Sequence, residues 1–225
     1  MDTVLKNIRT DLRLSMDGAT AASMRQLGVN FRMNFGVSIS RIKEISLKYE
    51  LGPALAERLW GEDVRELKIL ATMLFPRDEM SAEMADEWGR SITNQEIREQ
   101  ACKNLFQELP FADKLVEKWS VHADESARTT GYWLFTRLCI VHPEVVGRVE
   151  SEAVLKRAIN DLGEESLLLC QSALNALRFF GRRSKENATW VLHEVSHMES
   201  SMVSREREMF DQLRYEFEEV ISQPE

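Results

Sequence analysis

Apolar residues recur along this chain at helical spacing, most densely from Met24 to Phe75. Inside that stretch Leu55, Leu59 and Trp60, then Val64, Leu67, Leu70, Ala71 and Leu74, predict two helices with almost nothing between them. Ahead of them Asn34-Phe35-Gly36-Val37-Ser38 reads as a turn. Gly36 supplies backbone freedom, and Ser38 is placed to cap a helix over 38–48 that carries Ile39, Ile42 and Ile45. Pro53 suits a first helical turn, and Gly61 or Asp63 opens the helix that ends before Pro76. Upstream, Val4, Leu5, Ile8, Leu12 and Leu14 share one stripe. Asp17-Gly18 separates that helix from a second over 19–27, which predicts a helical hairpin.

Downstream the pattern repeats, with helices expected over 81–91, 94–106 and from Pro110 to Trp119. The segment 124–141 is apolar on most sides, with Trp133, Leu134, Phe135, Leu138 and Ile140, and reads as a central buried helix. His142-Pro143 ends it. Helices over 143–161, 164–180 and 185–198 follow, with Gly163 and Gly181 as stops, and a charged, acidic helix over 200–221 closes the pattern. About six helical pairs at spacings of roughly 35 to 40 residues are compatible with HEAT-type stacking. No linker or low-complexity segment divides 1–225, so a single domain is expected.

Composition agrees with an all-α chain: 44% of residues are hydrophobic, with only 10 Gly and 5 Pro. No apolar run reaches the ~20 residues of a spanning helix, so no membrane association is expected. The N-terminal stretch lacks the apolar core of a signal peptide, which makes the cytoplasm the expected location. Cys102, Cys139 and Cys170 match no zinc or redox spacing and read as buried free thiols. A net charge of −8 is unusual for a protein that holds nucleic acid. Eight acids against three arginines from Glu199 to Glu225 account for much of it, however, and Arg178, Arg182, Arg183 and Lys185 form a compact basic cluster.

The turn NFGVS (34–38), LAERLW (55–60) and RELKILATML (65–74) come in an order that resembles the signature of the DNA alkylation repair family, the HEAT-like alkylpurine DNA glycosylases. The likeness extends to about residue 195. It implies a HEAT-like helical repeat solenoid, a curved stack of antiparallel helix pairs with duplex DNA on its concave face. It also implies hydrolysis of the N-glycosidic bond of a cationic alkylated purine, without metal or cofactor. Such a base is already a good leaving group. What helps is a carboxylate near the sugar, to stabilise oxocarbenium character and position water, and aromatic surfaces against the cationic lesion.

The resemblance implies a Trp and an Asp one helical turn apart, an Arg from a neighbouring repeat, and a second Trp further on. Aligned on QACKNLF, Gln95 stands at the first aromatic position and Glu99 at the carboxylate, so Glu99 is the candidate catalytic residue; Glu96 is the alternative. In DESARTTGYWLF, Arg128 falls at the phosphate-contacting position. In SALNALRFFGRR, Asn175 stands at the second Trp. Trp88 is expected to line the site, and Arg178, Arg182, Arg183 and Lys185 to hold phosphates. Ordinary roles compete with each of these. Glu99 also reads as a solvated acid, Arg128 as a partner of Asp124 or Glu125, and the basic cluster as charges favouring a helix C-terminus. Trp60, Trp119, Trp133 and Trp190 read as core.

Two further function classes fit the same chain. With both aromatic positions replaced, the scaffold could bind a nucleic acid or a protein partner without base excision. Separately, His193-Glu194-Val195-Ser196-His197 matches HExxH, which on a helix turns two imidazoles to one face for zinc, with the Glu as general base of a hydrolase. The stretch ATWVLHEV continues the terminal helix that the resemblance implies, so no metal site is expected.

Overall fold

The computed structural model describes residues 2–222, whose regular elements are all helices, with no strand among the described residues and one isolated bridge between Met33 and Val64. The helices gather into two compact units, Met1–Leu109 and Pro110–Glu225. No helix among the described residues is long and apolar enough to cross a membrane.

The first unit comprises α1 (Asp2–Leu14), α2 (Gly18–Gln26), α3 (Ile39–Ser46), α4 (Pro53–Trp60), α5 (Arg65–Leu74), α6 (Ala82–Ser91) and α7 (Gln95–Asn104). Polar residues one step ahead of the apolar stripes set the starts. Asp17, Ser38, Ser81 and Asn94 each accept a hydrogen bond from a backbone N–H in the first turn of α2, α3, α6 and α7. Each satisfies a donor that the helix geometry leaves unpaired. Helix α5 is the axis of the unit: it packs on α3, α4 and α7, and only Lys68 and Met73 escape full burial along it. Trp60 of α4 stacks flat on Trp88 of α6 at 4.3 Å, and Phe75 meets Trp88 edge-on.

Two charged residues of α5 hold the turn that precedes α3. Glu66 accepts from the backbone N–H of Phe35 at 3.1 Å and of Val37 at 3.3 Å. Arg65 donates to the Val37 carbonyl at 2.8 Å and to Glu66 at 2.9 Å. Its other nitrogens grip Glu96 of α7 at 2.6 and 2.5 Å. Burial opposes the Arg65 charge, but the Glu96 and Glu66 carboxylates outweigh it and raise its pKa above the ordinary value. Gly36 completes the turn at φ +71°, with its missing Cβ leaving room for the Asp17 carbonyl, which would lie 2.2 Å away. Only glycine takes this conformation against that wall.

Five of the links between elements of this unit recur at one sequence separation. Arg32 to Asp63, Phe35 to Glu66, Trp60 to Ser91, Arg65 to Glu96 and Arg77 to Glu108 are all 31 residues apart. This is a structural repeat, somewhat shorter than the sequence spacing suggests, because the connections inside the first unit are tight.

The second unit comprises α8 (Ala112–Ser120), α9 (Glu125–Val141), α10 (Pro143–Val146), α11 (Ser151–Asp161), α12 (Leu167–Gly181), α13 (Lys185–Glu194) and α14 (Ser204–Ser222). Helix α12 is its centre and packs against α9, α11, α13 and α14. Links here span 33 residues from Arg128 to Asp161, 35 from Asp113 to Arg148 and 40 from Pro143 to Arg183. The expected single helix over 143–161 is broken between α10 and α11. Arg148 there reaches Asp113, and the Glu150 N–H donates to Glu117, so α8 holds the break open. Gly181 ends α12 as expected and also makes room: a Cβ there would lie 2.2 Å from the buried ring of Phe217 on α14. Cys102, Cys139 and Cys170 are free and buried, and burial pushes the Cys139 thiol up to about 12.

Glu66→Ala leaves the Arg65 guanidinium short of a carboxylate in a dry site and two turn N–H groups unpaired. The expected cost is about 3–5 kcal/mol of unfolding free energy, the usual consequence of breaking a buried pair. Urea denaturation of the variant beside wild type measures it, and a loss under about 1 kcal/mol contradicts the assigned role.

Candidate nucleic-acid interface

The residues singled out from the sequence divide between the units. Gln95 and Glu99 belong to the first, where they form a short chain on the half-buried face of α7. The Gln95 amide donates to Glu99 at 3.0 Å, and its oxygen accepts from the buried Arg98 at 2.7 Å. Gln95 therefore links Arg98 to Glu99 and holds the Glu99 carboxylate through its amide. Trp88 does not line this face, because its indole is buried against Trp60 and Phe75. Glu96, the alternative carboxylate, is engaged by Arg65.

Arg128 does not present itself as a phosphate ligand. Only 5% of the residue is exposed. Its Nε donates to Asp161 at 2.8 Å, and one terminal nitrogen donates to the His122 and Ala123 carbonyls at 3.1 and 2.9 Å. The partner is thus Asp161, from the next repeat, rather than the neighbouring Asp124 or Glu125. Tyr132 donates to the same Asp161 oxygen at 2.7 Å, and burial followed by that carboxylate pushes its phenol pKa well up. Arg128, Tyr132 and Asp161 together pin the turn before α9 to the end of α11.

In the basic cluster, cations do reach the surface. Arg178 and Arg182 stand one turn apart near the end of α12, with their guanidiniums 5.4 and 5.7 Å from the Phe179 ring centroid. Arg183 follows and donates to the Pro143 carbonyl at 3.1 Å, and exposed Lys185 opens α13. Asn175 lies one turn upstream and accepts from Arg178 at 3.4 Å. The cluster is not bare. Glu216 of α14 lies 3.2 Å from Arg178 and 3.6 Å from Arg182, beside the Phe217 ring that seats α14 against Gly181. The acidic helix therefore lays one carboxylate across two arginines of the cluster.

The HExxH residues are not arranged for zinc. Helix α13 ends at Glu194 and the chain passes into a 3-10 turn over Ser196–Met198, so His193 and His197 do not share a continuous helical face. The His193 side chain is 82% exposed. No group of three His, Cys, Asp or Glu side chains among the described residues is placed to hold a metal ion.

Helices tied to their successors at recurring separations are the mark of a HEAT-like helical repeat, and the comparison with known structures agrees. One solved structure aligns over 96% of this chain and 95% of its own with a TM-score of 0.78 at 15% identity. That protein is described as one of a new family related to the HEAT-like repeat DNA glycosylases with affinity for branched DNA structures. A designed armadillo repeat protein aligns over 79% of this chain and 92% of its own at 13% identity, with a TM-score of 0.41, too low to bear on the fold. No curated protein matches the sequence significantly. The family model for DNA alkylation repair enzymes matches residues 8–206, and the chain belongs to that family. Most of α14, Glu216 and Phe217 included, lies beyond the matched segment.

Arg128→Ala is expected to act on stability first. It strands Asp161 in a dry site at a cost of about 3–5 kcal/mol, so any loss of ligand binding should track unfolding. A variant with wild-type thermal stability that binds nucleic acid more weakly would instead make Arg128 a direct contact.

Proposed function

We propose that this chain is a DNA-binding member of the alkylation repair family that grips phosphodiester backbone through Arg178, Arg182, Arg183 and Lys185 and does not depend on base excision. The observation that carries this reading is the pair Arg178 and Arg182 flanking the Phe179 ring at the end of α12, with Arg183 and Lys185 following at the α12–α13 junction, in a chain whose overall net charge is −8. Guanidiniums suit phosphate oxygens, and release of condensed counterions supplies affinity without base contacts. Gln95 and Asn175 at the aromatic positions leave nothing there to stack on a cationic base. The affinity for branched DNA described for the structural relative makes junctions the first ligands to try. The cytoplasm, where three buried thiols stay reduced, is the proposed location.

Glu216 sets how available this surface is. It competes with phosphate for Arg178 and Arg182 and places a negative charge where a phosphate would sit. Binding should therefore be weaker than the arginine count suggests. Arg182→Glu with Arg183→Glu is expected to lower affinity for DNA roughly tenfold or more, and Glu216→Gln to raise it roughly threefold. Fluorescence anisotropy with labelled duplex and four-way junction DNA at fixed salt measures both. Absence of binding by folded wild-type protein at low salt would end this reading.

One observation favours a second reading, in which the chain excises cationic alkylated purines. Glu99 is half-buried, oriented by Gln95, and stands at the position where the family resemblance implies a catalytic carboxylate. A carboxylate there would stabilise the oxocarbenium-like transition state and orient water. Single-turnover release of 7-methylguanine and 3-methyladenine separates the readings. We expect wild type to release no more than the protein-free control. Release that disappears in Glu99→Gln would establish the second reading.

A further inference from the structure

A second cationic surface lies in the first unit, where sequence spacing alone gives little hint of it. Lys6, Arg9 and Arg13 follow one another at intervals of three and four along α1, so they share a face. The fold brings Arg58 of α4 and Arg32, from the segment before α3, to the same place. Lys6, Arg9, Arg13 and Arg58 line a hollow of about 350 Å³, and Arg9, Arg13 and Arg32 line an adjoining one of about 230 Å³. The two hollows share Arg9, Arg13 and Glu62.

The acids present do not consume these cations. Glu62 lies 3.0 Å from Arg9 and 3.8 Å from Arg58 and is shared between them. Asp63 is engaged by the backbone N–H of Arg32 at 3.0 Å, and Asp2 stands at the rim. The side chains of Lys6, Arg13 and Arg32 are exposed and have no hydrogen-bond or ion-pair partner among the described residues. Five cations face three acids, and the unpaired cations stand over both hollows. This suits an elongated anion with successive charges better than a single small one.

We propose that Lys6, Arg9, Arg13, Arg32 and Arg58 form a second phosphodiester-binding surface that takes a separate arm of a branched nucleic acid. The proposal rests on the DNA-binding reading above and deepens it: two phosphate-gripping surfaces, one on each unit, make a single chain bivalent. Under this proposal a ligand with two or more arms offers a backbone segment to each surface, and binding at one raises the effective concentration at the other. The preference for branched DNA then follows from backbone contacts alone, with no reading of base sequence.

The test is Arg13→Glu with Arg32→Glu, two exposed residues whose replacement leaves the core intact, beside the charge-preserving Arg13→Lys with Arg32→Lys. Affinity for a four-way junction and for a linear duplex matching one arm is measured over a salt series. The Glu variant should lose roughly tenfold or more on the junction and twofold or less on the duplex. Its junction salt slope should be shallower by about 1.8, the counterion release of two lost phosphate contacts. The Lys variant should bind as wild type does. Wild-type junction affinity in the Glu variant overturns this surface while leaving the α12 surface standing, and equal losses on junction and duplex overturn the separate-arm assignment. Failure of wild type to bind either DNA overturns the DNA-binding reading and this proposal together.

Discussion

Glu66 is the residue on which the first unit depends. It is fully buried, and a buried carboxylate survives only when its oxygens are supplied with donors. The Phe35 and Val37 N–H groups and the Arg65 guanidinium supply them. Those donors come from the turn ahead of α3, so one side chain on α5 fixes how the earlier helices meet it. Arg65 carries the constraint forward to Glu96 on α7, the helix that also holds Gln95 and Glu99. Arg128, Tyr132 and Asp161 do the equivalent work in the second unit. In both, charged residues of a DNA-repair fold act as internal rivets rather than as ligands.

The helices themselves were largely legible from spacing: Ser38 accepts the backbone bond expected of a cap, and Asp17, Asn94 and Asp124, which stand at the expected helix boundaries, accept the same kind of bond. Where local signals failed, a distant partner decided. The break between α10 and α11 depends on Asp113 and Glu117, more than thirty residues upstream. The burial of Arg128 depends on Asp161, whose partner no sequence spacing reveals. HExxH is readable as a pattern, yet the helix that would give it meaning ends at Glu194. Lys6, Arg9 and Arg13 carry helical spacing, but Arg32 and Arg58 join them only once the chain has folded.

Net charge is a poor guide to this molecule. Helix α14 carries six acids against three arginines, and one of those acids, Glu216, is spent on Arg178 and Arg182. That contact is built into the packing, because Gly181 leaves the hole that Phe217 fills and so sets the register of the neighbouring Glu216. The same helix lies mostly outside the segment matched by the family. On the proposed DNA-binding reading, an acidic helix held over this basic surface would lower resting affinity and make binding sensitive to salt and to anything that displaces the helix. A weakly steered protein of this kind would suit ligands that offer several contacts at once better than uniform duplex.

The most direct test of the account is amide hydrogen exchange of the full chain with and without a four-way DNA junction. The account predicts added protection at residues 178–185 and along α1. It also predicts faster exchange in α14 around Glu216 as phosphate takes its place. Tight junction binding with both basic segments and α14 unchanged would contradict it.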